Sequence, residues 1–315
     1  MDNSGYRQKR ISIVIPCLNE AGNIPVLYSE LSRILSFCSY ECIFVDDGSS
    51  DETLNIIKQY ARTDSRVKYL SFSRNFGHQN ALLAGMRYAT GEAIITMDAD
   101  LQHPISLLPQ LLKKWNEGFY VVNTRRCRTK NAGFLKVITS KVFYRLMNYL
   151  TDMDFSEGFA DFRLLDRKVV DVIAQSNESD VFIRGMVKWL GFQQAVVNYN
   201  ADKRYSGETK YGVKKMIWFS LNGLTSFSIR PLRLSMALSA LLAMLCLLEI
   251  CYALYTLLIV GTIVSGWTSI VIILSIIGAM ALFMLGVVGE YVGRMFMQVK
   301  GRPAYIVSES NMSEV

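Results

Sequence analysis

The chain is poor in the signatures that most often disclose a cofactor or a compartment. Its 315 residues contain no G-x-G-x-x-G and no G-x-x-x-x-G-K-[ST], which excludes a dinucleotide fingerprint and a P-loop. The six cysteines (Cys17, Cys38, Cys42, Cys127, Cys246, Cys251) show no metal-ligand spacing and read as reduced apolar residues, neither disulfides nor zinc ligands. No stripe of interleaved basic and aromatic residues accompanies the net charge of +7, so nucleic acid is not expected as a partner. A domain held against an anionic membrane leaflet accounts for that charge instead. No internal repeat or low-complexity tract occurs. No signal peptide is expected either, because the N-terminus is polar and leads straight into a strand pattern.

Charge is also scarce in one region. From Leu234 to Val260 the only charged residue is Glu249, and from Trp267 to Val288 there is none. Each stretch meets the roughly 20 apolar residues needed to cross hydrocarbon. The apolar share of 51% and mean hydropathy of +0.22 therefore average two regimes, an ordinary globular one up to about Ile229 and a membrane one beyond. Arg230 and Arg233 precede the first span and Arg294, Lys300 and Arg302 follow the second, while 261–266 between them carries no charge. The positive-inside rule then puts both termini and the N-terminal domain in the cytoplasm. The expected organisation is a cytoplasmic domain over 1–212, a juxtamembrane amphipathic helix over 213–230, a two-helix transmembrane hairpin over 231–292 and a cytoplasmic tail over 293–315, frayed after Tyr305. Ser235, Ser239 and Ala243 form a small-residue stripe, and Gly289 and Gly293 a G-x-x-x-G; these fit either a homo-oligomer or the packing of one span on the other. Glu249 is expected to face protein, not lipid.

The first hundred residues alternate strand and helix. Strands are predicted over 11–16, stopping at Pro16, and over 40–45, 67–72 and 93–97; helices over 24–37, 50–60 and 80–90. A further helix is expected over 107–115 and a strand over 120–123. The alternation implies an α/β fold, a mostly parallel sheet with helices on both faces. In such sheets ligands bind beyond the carboxyl ends of the strands. Segments 130–150 and 213–229 mix basic with bulky apolar residues, which suits helices lying in the membrane interface.

The polar clusters fall at those strand ends. Asp98 and Asp100, in Thr96-Met97-Asp98-Ala99-Asp100-Leu101-Gln102-His103-Pro104, are two residues apart; read as the end of a strand, the spacing turns both carboxylates to one side. Two hard oxygen donors there suit Mg2+ or Mn2+ shared with a diphosphate. His103 is expected to cap the following helix. Pro16-Cys17-Leu18-Asn19-Glu20 follows the first strand and Val45-Asp46-Asp47-Gly48-Ser49-Ser50-Asp51 the second, where carboxylates can accept hydrogen bonds from a base or a ribose and Gly48 lets the backbone turn close to a ligand.

Together with Arg74-Asn75-Phe76-Gly77-His78-Gln79, Gly158-Phe159-Ala160-Asp161-Phe162-Arg163 and two C-terminal spans, these motifs in this order resemble the family 2 glycosyltransferases of GT-A fold. Within them the chain is similar to the polyprenyl-phosphate glycosyltransferases, the bactoprenol glucosyltransferases above all and the dolichol-phosphate mannose synthases more distantly. The resemblance implies that Pro16, Leu18, Glu20, Val45, Asp47 and Ala99 hold the nucleotide sugar, and that Asp98, Asp100 and Gln102 hold the metal and diphosphate. It implies that Arg204 and Lys210 belong to a basic loop over the phosphates, that Arg125 and Arg128 lie near the acceptor phosphate, and that Asp161, with Asp100 and Arg204, serves catalysis.

The implied reaction is inverting transfer of a hexose, glucose from UDP-glucose first among the candidates, to undecaprenyl phosphate at the cytoplasmic face of a bacterial inner membrane. The product would serve cell-surface glycan (O-antigen, lipopolysaccharide) modification, by a homo-oligomer that could be a tetramer. GDP-mannose, UDP-GlcNAc and an amino-arabinose donor are the alternatives, and a non-catalytic nucleotide-sugar-binding scaffold is the alternative of another class. Processive polysaccharide synthases are disfavoured by the absence of Gln-x-x-Arg-Trp. A lipid monophosphate has a second pKa of about 6, so the acceptor needs orientation more than deprotonation. Asp161 is accordingly expected to orient the acceptor or the sugar.

Overall fold

The computed structural model describes residues 9–127, 159–176, 178, 181–200, 230–255, 258–259 and 266–312. The expected interfacial helices at 130–150 and 213–229, and Arg128, Arg204 and Lys210, lie outside the described residues, as does the Glu249 side chain. The chain divides into two units, one holding the sheet, with Pro303–Val315 as its last segment, the other holding the long apolar helices.

In the first unit β1 (Arg10–Cys17), α1 (Ile24–Ile34), β2 (Ser39–Asp46), α2 (Thr53–Thr63), β3 (Val67–Phe72), α3 (His78–Tyr88) and β4 (Ala93–Thr96) alternate as the sequence predicts. A 3-10 turn (Ile105–Leu107), α4 (Leu108–Asn116), β5 (Val121–Arg126), β6 (Phe159–Asp166), α5 (Arg167–Ala174), α6 (Ile183–Trp189), β7 (Gln194–Tyr199) and β8 (Val307–Ser310) follow. The eight strands form one sheet in the order β7-β5-β6-β4-β1-β2-β3-β8. Pairs β1–β2, β1–β4, β2–β3 and β5–β7 are parallel, whereas β4–β6, β5–β6 and β3–β8 are antiparallel.

The central strands are apolar on both sides because both faces are covered. Ile11, Ile13 and Ile15 of β1 share a core with Leu27 and Leu31 of α1, Ile57 of α2 and Leu108, Leu111 and Leu112 of α4. Val14 points the other way, against Gly85 of α3. Each fully buried aliphatic side chain of this kind contributes about 1.5–3 kcal/mol.

Several boundaries differ from expectation. β1 continues through Pro16, which registers with Val45 of β2. β4 pairs β1 only from Ile11 to Val14, so the N–H that proline lacks has no ladder partner to miss on that side. Helix α2 starts at Thr53, whose N–H bonds Asp51 Oδ1 at 3.0 Å, and α3 starts at His78, directly after Gly77 at φ 98°. β4 stops at Thr96, so Asp98 and Asp100 lie in the turn beyond it, and strand periodicity does not explain their placement. Directly after Tyr305 the tail is not frayed, because Val307–Ser310 forms β8.

The second unit holds α7 (Arg230–Tyr255) and α8 (Trp267–Val299). The stretches Ser235–Tyr252 (mean hydropathy 2.0) and Ile272–Val299 (2.6) are long and apolar enough to cross a membrane. Leu247, Leu248, Leu274, Leu282 and Leu285 are exposed on them, which a soluble core helix would not tolerate. Ser239 Oγ donates to Ser235 O at 2.9 Å and lies 2.7 Å from Met284 Sδ of α8, so this small residue packs one helix on the other. α8 runs past the expected end of the span, carrying Glu290 and Arg294 as an i,i+4 pair at 3.0 Å.

Candidate active site

The topology gathers the polar clusters at one edge. The parallel strands β1, β2, β3 and β4 end there; β6, running the opposite way, begins there, and β5 and β7 end there. This places residues 17–20, 46–51, 73–78, 98–103, 125–127, Asp161 and Tyr199 along the same rim, where ligands of open α/β sheets bind.

On the β1–β3 side, the carboxylates organise loops. Asp46 accepts Ser49 N–H at 3.1 Å and Ser71 Oγ–H at 3.0 Å. Asp47 accepts the N–H of Phe76 at 2.7 Å on Oδ1 and of Gly77 at 3.0 Å on Oδ2. Burial pushes the Asp47 carboxyl up, and those N–H groups pull against it. Gly48, at φ 73°, packs so closely on the 74–75 peptide that a Cβ would sit 2.7 Å from Arg74 C. Glu20 accepts Asn23 Nδ2 at 2.6 Å, and Asn19, in the left-handed region at φ 54°, accepts Ser50 N–H at 2.8 Å. Among the expected nucleotide-binding residues, Leu18 and Glu20 are half-buried at the rim, whereas Pro16, Val45, Asp47 and Ala99 are buried. Val45 is fully buried, so its side chain belongs to the core.

Asp98 sits between two imidazoles. His78 Nε2 is 2.8 Å from Oδ1 and His103 Nε2 is 3.1 Å from Oδ2. His103 Nδ1 in turn lies 3.1 Å from the Tyr199 hydroxyl, and its ring stacks on Phe162 at 5.0 Å. His103 therefore orients Asp98 and does not cap the helix, whose 3-10 start has no side-chain cap. The network assigns the Nε2 protons of both rings toward the carboxylate. Burial works to raise the Asp98 carboxyl, but the bonds from His103 and His78 outweigh it and hold it well below the ordinary range. Burial works to lower the His78 imidazolium, but Asp98 beside it prevails and holds it above its usual value. Asp100 accepts Gln102 N–H at 3.1 Å across Leu101, which adopts φ 58°. A leucine in the left-handed region is strained, and such strain concentrates at functional turns.

Asp161 is the third charged centre and is 8% exposed. Arg184 Nε and Nη2 donate to its Oδ1 and Oδ2, both at 2.8 Å, Arg163 Nη2 donates at 3.1 Å, and Gln79 Nε2 lies 3.4 Å away. His78 bridges the two acids, its Nδ1 4.0 Å from Asp161 Oδ2. Burial alone would raise the Asp161 carboxyl, but the Arg184 guanidinium and then Arg163 hold it far below the ordinary range. A carboxylate so stabilised is a poor proton acceptor. His78, Gln79 and His103 lie within the quoted motifs and Arg184 and Tyr199 outside them; none of the five is among the expected site residues. Arg125 ends up half-buried on β5, paired in register with Phe159.

The donor set fits a hard divalent cation shared with a substrate. Asp98 and Asp100 offer carboxylate oxygens from one turn, Asp98 ionised and oriented by imidazoles as ligating carboxylates are. Among the described residues no group of three or more His, Cys, Asp or Glu could hold a metal alone. Mg2+-type sites commonly use one or two carboxylates and complete their shell with phosphate and water.

Comparison with known proteins follows the same lines. Residues 12–173 match the family described as "Glycosyl transferase family 2". An uncharacterized glycosyltransferase of Bacillus subtilis is 42% identical over 306 residues, covering 96% of this chain and 95% of that one. A bactoprenol glucosyl transferase of Shigella phage SfII is 37% identical over 304 residues, covering 96% and 98%. An Escherichia coli prophage bactoprenol glucosyl transferase homolog is 37% identical over 300 residues, covering 95% and 98%. The crystal structure of Mycobacterium tuberculosis glucosyl-3-phosphoglycerate synthase with Mn2+, uridine diphosphate and phosphoglyceric acid superposes with TM-score 0.50 at 19% identity, over 71% of this chain and 78% of that one; this likeness concerns the fold. The chain is a glycosyltransferase and belongs to glycosyl transferase family 2.

Proposed function

We propose that the protein transfers a hexose, with UDP-glucose as donor, to the phosphate of a membrane-embedded polyprenol such as undecaprenyl phosphate, with inversion at the anomeric carbon. The observation that carries this reading is the joining, in one chain, of an acidic site at the carboxyl rim of the sheet to two helices long enough to cross a membrane. Relatives named bactoprenol glucosyl transferase share 37% identity over 95% or more of the chain, which supports the lipid acceptor and the glucosyl group.

Pro16, Leu18, Glu20, Val45, Asp47 and Ala99 form the nucleoside side, Pro16 and Val45 through their backbones. Asp98 and Asp100, with Gln102 beside them, would hold Mg2+ or Mn2+, which when bound neutralises charge on the departing diphosphate. Arg204 and Lys210 are assigned to the leaving phosphates, and Arg125 and Arg128 to the acceptor phosphate. The acceptor phosphate is already largely dianionic at neutral pH, since its second pKa is about 6. Asp161, locked in its ionised form, orients the acceptor or the sugar and need not remove a proton. The flanking charges Arg230, Arg233, Arg294, Lys300 and Arg302 support a topology with both ends of the helical pair on the cytoplasmic side. Gly289 and Gly293, with nothing within 4 Å of a built Cβ, leave room for a second copy in a homo-oligomer, a tetramer being one form.

The test is transfer by purified full-length protein to undecaprenyl phosphate from a panel of sugar nucleotides, with the lipid product identified by mass spectrometry. Glucosyl product from UDP-glucose is expected, abolished by Asp98→Asn and by EDTA. Undiminished turnover in excess EDTA, or preference for a water-soluble acceptor, would overturn it.

A further inference from the structure

The last strand of the sheet comes from beyond the second long helix, and it is fastened to the loop that closes the donor side of the site. β8 runs antiparallel to β3, with Leu70 opposite Ser310, Ser71 opposite Glu309 and Phe72 opposite Val307. Its outer attachments are Lys58 Nζ to Glu309 Oε2 at 2.6 Å, Tyr69 N–H to Asn311 Oδ1 at 2.8 Å and Ser308 Oγ–H to Ser71 O at 3.0 Å. Immediately before it, Ile306 O accepts the N–H of Ser73 at 3.0 Å. Tyr305 lies flat on Phe72, centroids 5.1 Å apart and planes 15° off parallel. From its other neighbour, Arg87 of α3, the guanidinium stands 5.6 Å from the Tyr305 ring centre, while donating to Ala174 O and Ser176 O at the end of α5.

Phe72 then meets Phe76 edge-on at 5.7 Å. Phe76 and Gly77 are the residues whose N–H groups fill the Asp47 carboxylate. The 73–77 loop has no helix or strand hydrogen bonding of its own. It is held by Asp47 and Gly48 on one side, by Asn80, whose Nδ2 donates to Phe76 O at 2.8 Å, at its end, and by Tyr305, Ile306 and Phe72 on the other side. A connected series of contacts thus runs from the C-terminal segment to a predicted nucleoside residue, and on to His78, the first residue of α3, which bonds Asp98.

We propose that Tyr305, with β8, is a positioning element for the donor site: seated on Phe72, it holds the 73–77 loop in the form that Asp47 and His78 require. The segment touches no substrate and acts through Phe72 and Phe76. This inference rests on the donor site proposed above, and the test keeps the two separable.

Full-length protein in detergent would be compared as wild type, Tyr305→Ala and Tyr305→Phe, by sugar-nucleotide kinetics and by amide hydrogen exchange without substrate. One aromatic pair sets the expected scale: Tyr305→Ala raises KM for the donor about two- to tenfold with kcat little changed. The Phe76 and Gly77 amides exchange faster by a similar factor, while those of Ile43 to Val45 in β2 keep their protection. Tyr305→Phe, which retains the stacked ring, restores both readouts. A folded Tyr305→Ala protein with unchanged exchange at Phe76 and Gly77 would overturn the proposal, as would faster exchange spread evenly over β2. If wild type transferred no sugar from any nucleotide, the proposed reaction would fail, and the exchange comparison would still decide the role of Tyr305.

Discussion

Arg184 grips Asp161 with two parallel bonds, Nε to Oδ1 and Nη2 to Oδ2, each 2.8 Å long. The pairing is bidentate, the geometry in which guanidinium and carboxylate bind most strongly, and Arg163 adds a third donor from within the sheet. Asp161 is therefore both a rim residue of the site and the counter-charge of a buried arginine.

Asp161→Asn is expected to lower stability as well as transfer. Arg163 is only 3% exposed, and removing the Asp161 carboxylate takes an ion-pair partner at 3.1 Å from that buried guanidinium, a loss of about 3 kcal/mol. The native Asp161 pKa is depressed, so its contribution is complete above the unfolded value of about 3.9 and fades as pH falls through the native value. Urea titrations should show a constant gap between wild type and Asp161→Asn from about pH 5 to 8 that narrows below about pH 4. A gap that widened on acidification would contradict the ionised clamp.

His103→Ala should weaken metal use more than folding. The ring orients Asp98, and loss of such an outer partner typically costs 10–100-fold in metal affinity. The Mg2+ concentration for half-maximal transfer should rise by about that factor, with saturating metal restoring most of the rate. An unaltered metal titration would remove His103 from this role.

Gly48→Ala combines a left-handed backbone at φ 73° with a Cβ placed 2.7 Å from Arg74 C. The backbone strain alone is about 1–3 kcal/mol, and the clash adds to it. Thermal melting should fall and donor affinity should fall with it, because the displaced peptide precedes the two N–H groups on Asp47. Equal melting and affinity in the variant would show that the two loops can part freely.

Thiol labelling should sort the cysteines by environment. Burial pushes the Cys38 thiol up to about 11 and raises Cys17 and Cys42 strongly, whereas Cys127 is exposed at the end of β5. A water-soluble maleimide should modify Cys127 in the native protein and reach Cys17, Cys38 and Cys42 only after unfolding. Cys251, exposed on α7, should stay unlabelled in vesicles, where lipid covers that helix. Rapid labelling of Cys251 in sealed vesicles would argue against α7 as a span.

What was legible in the sequence was whatever is local. β1 to β4 announce themselves as short apolar runs between turn residues, and the two long helices by the absence of charge. β6 hides because Asp161 and Arg163 interrupt its apolar pattern at buried positions, and β7 because an edge strand is half exposed. β8, reading Val-Ser-Glu-Ser, has almost no apolar signal and exists only by pairing with β3. The acidic pair is legible as a pair but not from strand spacing, because Asp98 and Asp100 sit in a strained turn at Leu101, not on a strand. The imidazoles' role is hidden in the sequence because their partners are distant in it, Tyr199 standing 96 residues from His103. Arg184 cannot be matched to Asp161 by spacing, since nothing in the separation of 23 positions predicts that they meet.

Because β8 follows both apolar helices in the chain, β3 must wait as an open sheet margin while they are being made. An unpaired margin is a template for pairing with other chains. A chain shortened by its final dozen or so residues would keep both apolar helices yet carry that margin permanently. A chain that stops before the second helix should therefore aggregate even though every acidic residue of the rim is present.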